Sequence, residues 1–332
     1  MNEQKEFLAE MQPTNLEWMY SCFERLLSEV NAKFPKIILD SSVIKHTKSQ
    51  KVLHNTNGSQ FAETKSFFEV VIMFSAQDGN RSSSFNYTFF TLPESATEIE
   101  DYNILNVCGA RELLSQASAQ TQVKKVSEKF NGDVIITPHC MQDFVGYWMD
   151  YISNERMLKK NSPWQNSLGK KIASEKLNLT YQPSYFPIHE KWTDDGFRTQ
   201  DEKVIENGTL KNFSLNHYAA SKLGLKTSQT KGSSYHMQAG DRSLPEMIST
   251  VKKGILLCRY SAGMPAENGD ISGVAKNSYY IEKGQIQYPL GETMVSGNLI
   301  EMIQNIQEIS SESINNGSFD LPWVKVAGLS VS

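Results

Sequence analysis

Six histidines, four cysteines and scattered carboxylates are the groups in this 332-residue chain with the chemistry to hold a metal or activate water. A catalytic zinc needs about three protein ligands drawn from His, Cys and carboxylate, an open position for water, and a nearby base. His46, His54, His139, His189, His217 and His236 form no HExxH and no related HE…H pair. His139 and Asp143 stand four apart on a predicted helix, where they share a face, and Cys140 is adjacent. Two ligands fall short of such a site. The plainer reading has His139 packing or capping where that helix begins. A self-sufficient hydrolase built on this pair has to recruit a distant ligand such as His189 or His236.

A second concentration of chemistry runs through the polar region 183–200. His189 and Glu190 are followed by Trp192, Asp194, Asp195, Gly196 and Arg198. So many charged and aromatic residues in one loop suit a surface that faces a ligand. The competing reading is a solvated turn, and Asp194-Asp195-Gly196 fits an Asx-type turn better than a carboxylate pair for acid–base work. A third candidate is the glycine loop at Gly269, Asp270, Ser272 and Gly273, whose backbone N–H groups suit a carboxylate or a peptide. There is no GxxxxGK[ST], the run Lys231-Gly232-Ser233-Ser234 lacks the phosphate-binding order, and no GxSxG elbow occurs. The residues themselves therefore display no catalytic set.

These candidates must be positioned by the surrounding elements. Thr14 to Glu17 reads as a capping box before a helix that carries Leu16, Met19, Tyr20, Phe23, Leu26, Leu27 and Val30 on one face. Three short strands are expected at 37–39, 42–46 and 51–54, then a strong strand at 67–75 and its return at 85–91. Together they form an antiparallel sheet against the first helix. Residues 93–101 read as an acidic linker and 104–129 as helix with a break near Ser115. The run DVIIT at 133–137 is a strand stopped by Pro138, and a helix with Phe144, Val145, Trp148, Met149 and Ile152 follows it. Asn207-Gly208 predicts a hairpin, and Gly224 closes a short helix from His217.

The stretch 254–299 organises the rest. It reads as strand, glycine loop, strand, a tight turn at Lys283-Gly284, strand, and the start of a helix running to about Ile309. A last strand covers 323–329. Strands and helices mix without βα regularity, so the fold class is α+β with mixed and antiparallel sheets.

Bulk properties narrow the classes further. Hydrophobic residues make up 39% of the chain and charged residues 21%, as in a globular protein with a real core. The net charge of −4 offers no general grip on nucleic acid. No apolar run approaches the roughly 20 residues needed to cross a bilayer. The opening MNEQKEFLAEMQ is polar and unlike a signal peptide, which makes the cytoplasm the expected location. Cys22, Cys108, Cys140 and Cys258 include no CxxC and read as buried thiols.

A colinear series adds a family. DDGFRTQDEKVIENGTLKNFSLNHYAASKLG from Asp194, SLPEMISTVKKGILL from Ser243, NGDISGVAKNSYYIEKGQIQYP from Asn268, ETMVSGNLIEMIQNI from Glu292 and the closing LPWVKVAGLSV resemble the TldD/PmbA family. This family is a metalloprotease system that also bears the label modulator of DNA gyrase. The resemblance is good over 131–332 and weaker over 37–129, where LHNTNGSQF resembles the family's Asn-Ser-x-Gly turn. The family's usual N-terminal α/β domain is expected to be missing.

The metal-bearing branch has an HExxxH helix after the strand matching Asp133–Thr137, and a late cysteine. Here that helix reads PHCMQDFVGYWMDYIS, and no cysteine follows Cys258. The resemblance is thus to the metal-lacking PmbA/TldE branch. It implies a middle-type α+β domain over 1–100 and a C-terminal TldD/PmbA-like domain over 101–332. It also implies no catalytic or metal-ligating residue in this chain, with zinc carried only by a TldD-like partner. The partner is that subunit or a second copy of the chain, the substrate an unfolded peptide added to a sheet edge, and no membrane or nucleic acid takes part. His189, Asp194, Asp195, Arg198, Gly269, Asp270 and Ser272 are the residues expected to line the peptide chamber. The alternative is a stand-alone peptide-binding or scaffold protein without protease activity.

Overall fold

The computed structural model describes residues 13–186 and 188–332, so the polar dodecapeptide read above as unlike a signal peptide lies outside the described residues. The fold is α+β and, among the described residues, rests on two sheets, one of four strands and one of thirteen. In the smaller sheet, Ile37–His54 and Gln60–Asp78 form one long antiparallel hairpin, in register from Ile37↔Ala76 to His54↔Gln60. The three short strands expected over 37–54 are therefore one strand. Its inward face carries the buried Ile44 and also His46, which stacks on Phe68 with centroids 4.2 Å apart, while Val43 and Val52 are exposed, and the register shifts at a bulge between Leu39 and Ser41.

Phe68, Val70, Ile72, Phe74 and Ala76 alternate into the core, as period-two burial requires. Helix Leu16–Lys33 covers them with Trp18, Cys22, Leu26 and Val30, spaced four apart. This face differs from the one expected, because Leu16, Tyr20 and Leu27 are exposed. Asn15 is the N-cap in place of Thr14, its side chain accepting from the Trp18 N–H at 3.0 Å.

Asn86–Pro93 pairs with the other side of the Gln60–Asp78 strand, from Phe67↔Pro93 to Phe74↔Asn86. The expected linker after it contains a 3₁₀ turn, Glu94–Glu98. The helix expected over 104–129 is much shorter. A 3₁₀ turn at Ile104–Asn106 is broken by left-handed Cys108 and Gly109, and the α-helix covers only Ala110–Ala119. Leu113, Leu114 and Ala117 of that helix pack into the core of the smaller sheet.

The larger sheet is centred on Phe130–Ile136. This strand lies between the parallel strand Lys253–Leu257 and the antiparallel strand Phe319–Val331. Both faces are covered, so Val134, Ile135 and Ile136 are fully buried. Helix Pro138–Tyr151 leaves the end of the strand and sinks Phe144, Val145, Trp148 and Tyr151 into the main core. The organising stretch supplies Arg259–Ala262, Asp270–Lys276, Tyr279–Glu282, Gln285–Pro289 and Thr293–Asn298 in addition to Lys253–Leu257. Lys283 and Gly284 take positive φ in its tight turn, as the hairpin demands.

The final helix stops at Gln304. Residues from Ile306 join a strand, Ile306–Asn315, whose Glu308 holds the buried Lys325 ammonium at 2.9 Å. All four cysteines are free and buried. Among the described residues no helix is long and apolar enough to cross a membrane.

Candidate functional site

The two sheets meet at the strand Asn86–Pro93. Among the described residues it pairs only with Gln60–Asp78, and its other edge faces the larger half of the molecule. In an antiparallel ladder, alternate residues turn both backbone groups away from the partner strand. Two contacts fix which residues these are. The Thr91 N–H donates to the Asn316 carbonyl at 2.9 Å. At the other end the Phe85 carbonyl accepts from Arg259 Nη1 at 2.6 Å and from Asn277 Nδ2 at 3.3 Å. The outward set is therefore the odd-numbered one. Tyr87 and Phe89 lie between the two ends. The Tyr87 N–H donates to Asn86 Oδ1 at 3.0 Å, which leaves the Tyr87 carbonyl and both backbone groups of Phe89 open.

This open edge borders a cleft of about 140 Å³, whose other walls come from Leu113, the start of helix Pro138–Tyr151 and the strand Arg259–Ala262. Arg259 is half-buried there. Its guanidinium lies over the rings of Phe85 and Tyr87, at 5.2 and 4.7 Å from their centroids. No carboxylate stands within 4.0 Å of it among the described residues. Asp143 lines the same cleft. Its surroundings raise its pKa by desolvation, and the Arg259 charge works in the opposite direction.

His139 sits one turn below Asp143. Its Nε2 lies 2.9 Å from the Cys108 carbonyl and 3.7 Å from the Cys108 sulfur. Burial pushes its pKa down to about 4, opposed by that carbonyl, so the ring is neutral at physiological pH. Burial raises the pKa of the Cys140 and Cys258 thiols of the cleft, which makes them poor nucleophiles. On its other side His139 borders a more apolar cavity of about 410 Å³, lined among others by Leu113, Leu256, Ile314 and Trp323.

A zinc ion of the kind a metallopeptidase holds does not fit this donor set. Such an ion needs about three protein ligands, and among the described residues no three His, Cys, Asp or Glu side chains converge.

The polar loop of the sequence analysis lies elsewhere, clamped to the tip of the long hairpin. Trp192 stacks on Phe61, and the Lys191 N–H donates to Glu63 at 3.1 Å. Glu190 pairs with Lys65 at 2.8 Å, and Asp194 pairs with Lys231. Desolvation works to raise the Glu190 pKa, but the hydrogen bond from Lys65 and the charges of Lys231 and Lys51 outweigh it and hold it down. Asp195 accepts from the His217 N–H, at the start of helix His217–Leu223, at 2.8 Å. Asp194 and Asp195 line a small cleft of about 180 Å³ with Asn154, Ser214, Thr230 and Lys231. His189 places Nδ1 2.8 Å from the Phe186 carbonyl. Arg198 bridges to Trp192 across the loop.

Gly269, Asp270 and Ser272 form a separate group. Glu267 and Asn268 make the turn, closed by the Gly269 N–H on the Ala266 carbonyl at 2.9 Å, and the Asp270 carboxylate accepts from Asn298 Nδ2 at 2.9 Å and Asn268 Nδ2 at 2.7 Å. Both bonds hold its pKa low. Asn298 caps helix Leu299–Gln304, and Ser272 pairs with Ser296 in the ladder. Neither set lines the cleft beneath the open edge. Arg259, Tyr87 and Phe89 were not singled out in the sequence. The signals were an isolated arginine straight after the buried run Ile255–Cys258 and the aromatic alternation at 85–91.

Comparison with known proteins shows what the chain is similar to. Residues 129–332 match the family model described as the PmbA/TldA metallopeptidase C-terminal domain. Over 249 residues the chain is 26% identical to the metalloprotease PmbA of Escherichia coli O157:H7, covering 72% of this chain and 54% of that protein. It is 27% identical over 194 residues to a zinc metalloprotease TldD homolog of Saccharolobus solfataricus, covering 54% of this chain and 44% of that protein. The chain spans about half the length of these curated relatives. Among solved structures, TldE from Thermococcus kodakarensis superposes with a TM-score of 0.80 at 19% identity, over 98% of this chain and 77% of that one. A Thermotoga maritima protein described as a modulator of a DNA gyrase gives 0.78 at 22% identity, over 98% and 78%.

Proposed function

The chain belongs to the PmbA/TldD metallopeptidase family, and from that premise we propose that it is a peptide-binding subunit without a metal of its own. It works in the cytoplasm beside a TldD-like subunit that carries the zinc. What supports this reading is the open edge at Tyr87 and Phe89, directly over a cleft whose donor set stops at His139 and Asp143.

An extended peptide added to such an edge gains main-chain hydrogen bonds that do not depend on its side chains. That is the affinity an enzyme acting on unfolded peptides requires. The chain's own residues bind and orient the substrate, and the aromatic side chains of Tyr87 and Phe89 cover one face of the added strand. In the complex, zinc on the partner supplies the Lewis acid and the activated water. His139, neutral and held by the Cys108 carbonyl, keeps the head of helix Pro138–Tyr151 against the smaller sheet.

The test is reconstitution. The purified chain is assayed for cleavage of an unstructured peptide alone and with a TldD-like subunit from the same genome, with zinc quantified by elemental analysis. Activity and stoichiometric zinc are expected only with the partner. Zinc-dependent cleavage by the chain alone, at one metal per chain, overturns the reading.

A further inference from the structure

We infer that Arg259 is a receptor for the terminal carboxylate of a short peptide, so that the cleft selects peptide C-termini over the interiors of long chains. The inference rests on the peptide-binding reading and names the class of peptide bound.

Three observations carry it. The first is the length of the open edge. The Thr91 N–H is taken by the Asn316 carbonyl, and the Phe85 carbonyl by Arg259 and Asn277. Between them, among the described residues, the Tyr87 carbonyl and both backbone groups of Phe89 are open, two residues apart. At about 3.4 Å per residue this is roughly 7 Å of edge, enough for a segment of about three residues.

The second is what stands at one end. A strand added antiparallel to Asn86–Pro93 runs from the Thr91 side toward Phe85. At Phe85 the next outward carbonyl is already taken, and the group that takes it is a guanidinium. The peptide therefore meets a cation where its backbone pairing must stop.

The third is the state of that cation. Arg259 donates one bond to Phe85, has no carboxylate within 4.0 Å among the described residues, and is half-buried in the cleft wall. Five N–H groups in a fixed fork suit a carboxylate held by two parallel bonds, and partial burial strengthens the pairing. The rings of Phe85 and Tyr87 fix the plane of the fork. Asp143 faces the same cleft and Arg259 acts on it electrostatically, but it makes no ion pair with the guanidinium and leaves the fork open.

The same fork recognises an acidic side chain, so the test separates the two sources of carboxylate. Three N-acetylated pentapeptides are titrated into the full chain by calorimetry: pentaalanine with a free C-terminus, its C-terminal amide, and an amide carrying glutamate at the last position. The free acid is expected to bind about tenfold more tightly than either amide, the range of a charge-assisted bond. That preference should disappear in Arg259→Gln and survive in part in Arg259→Lys, with far-UV circular dichroism unchanged in both.

Equal binding of acid and plain amide by the wild-type chain overturns the inference and leaves peptide binding intact. Equal binding of the acid and the glutamate amide overturns recognition of the terminus in favour of an acidic side chain. Failure of all three peptides to bind removes the peptide-binding reading itself, and the inference with it.

Discussion

The indole of Trp192 lies flat on the ring of Phe61, with centroids 4.2 Å apart and planes 7° from parallel. This contact joins the polar loop of the C-terminal half to the far end of the long N-terminal hairpin. Around it Lys51, Lys65 and Lys231 interleave with Glu63, Glu190 and Asp194. The loop is thus a latch between the sheets, remote in sequence from the cleft but able to fix how the open edge stands over it.

Trp192→Ala removes the stack and leaves the ion pairs. Trp192 is half-buried, and exposed or partly exposed pairs of this kind are worth little alone. A loss of about 1–2 kcal/mol is expected, mostly from aromatic burial. Urea denaturation measures it, and limited proteolysis should show nicking within 189–198 before any other site. An unchanged urea midpoint and an unchanged cleavage pattern would sink the latch.

The second prediction concerns pH. Burial lowers the His139 pKa from 6.5 to about 4. The folded protein therefore binds fewer protons at this site than the unfolded chain between those values. The stabilisation is fully present above pH 6.5 and is lost as the pH falls toward 4, to a total of about 3 kcal/mol. In His139→Asn the stability curve between pH 7 and 4.5 should be flatter than in the wild type. His46, whose pKa burial also lowers, is common to both proteins and cancels in the comparison. Parallel curves for the two proteins would show that His139 does not carry this dependence.

Much of the architecture was legible in the sequence because it follows from short-range rules. Asn207-Gly208 and Lys283-Gly284 take positive φ in their turns, Gly224 closes its helix in the left-handed region, and the run Val134–Ile136 has both faces covered. The failures arose where tertiary contacts override local pattern. Leu16, Tyr20 and Leu27 fit a helical stripe, yet the sheet meets the other stripe, through Trp18 and Cys22. The residues after Ala119 carry an apolar periodicity, but Gln120 and Thr121 are the buried ones, Val123 is exposed, and Val126 packs on the main core from outside a helix.

The candidate site was less legible for a related reason. His189, Asp194 and Asp195 attract notice as types, whereas the cleft depends on which backbone groups of Tyr87 and Phe89 face outward. That parity is set by pairing with Phe67–Phe74 and by the contacts of Phe85 and Thr91, and it leaves no mark on residue type.

The last prediction uses the charge that faces Arg259. Asp143 lowers the field a bound carboxylate experiences, because it places a like charge in the same cleft. Its separation from the guanidinium exceeds ion-pair contact, so the effect is of the size of a screened surface interaction, under about 1 kcal/mol. Asp143→Asn keeps the shape of the side chain and removes the charge. Free-acid pentaalanine should then bind about threefold more tightly, its amide should be unaffected, and the gain should shrink as salt is raised. Loss of acid binding in Asp143→Asn would mean instead that the carboxylate of Asp143 orients Arg259 for its ligand.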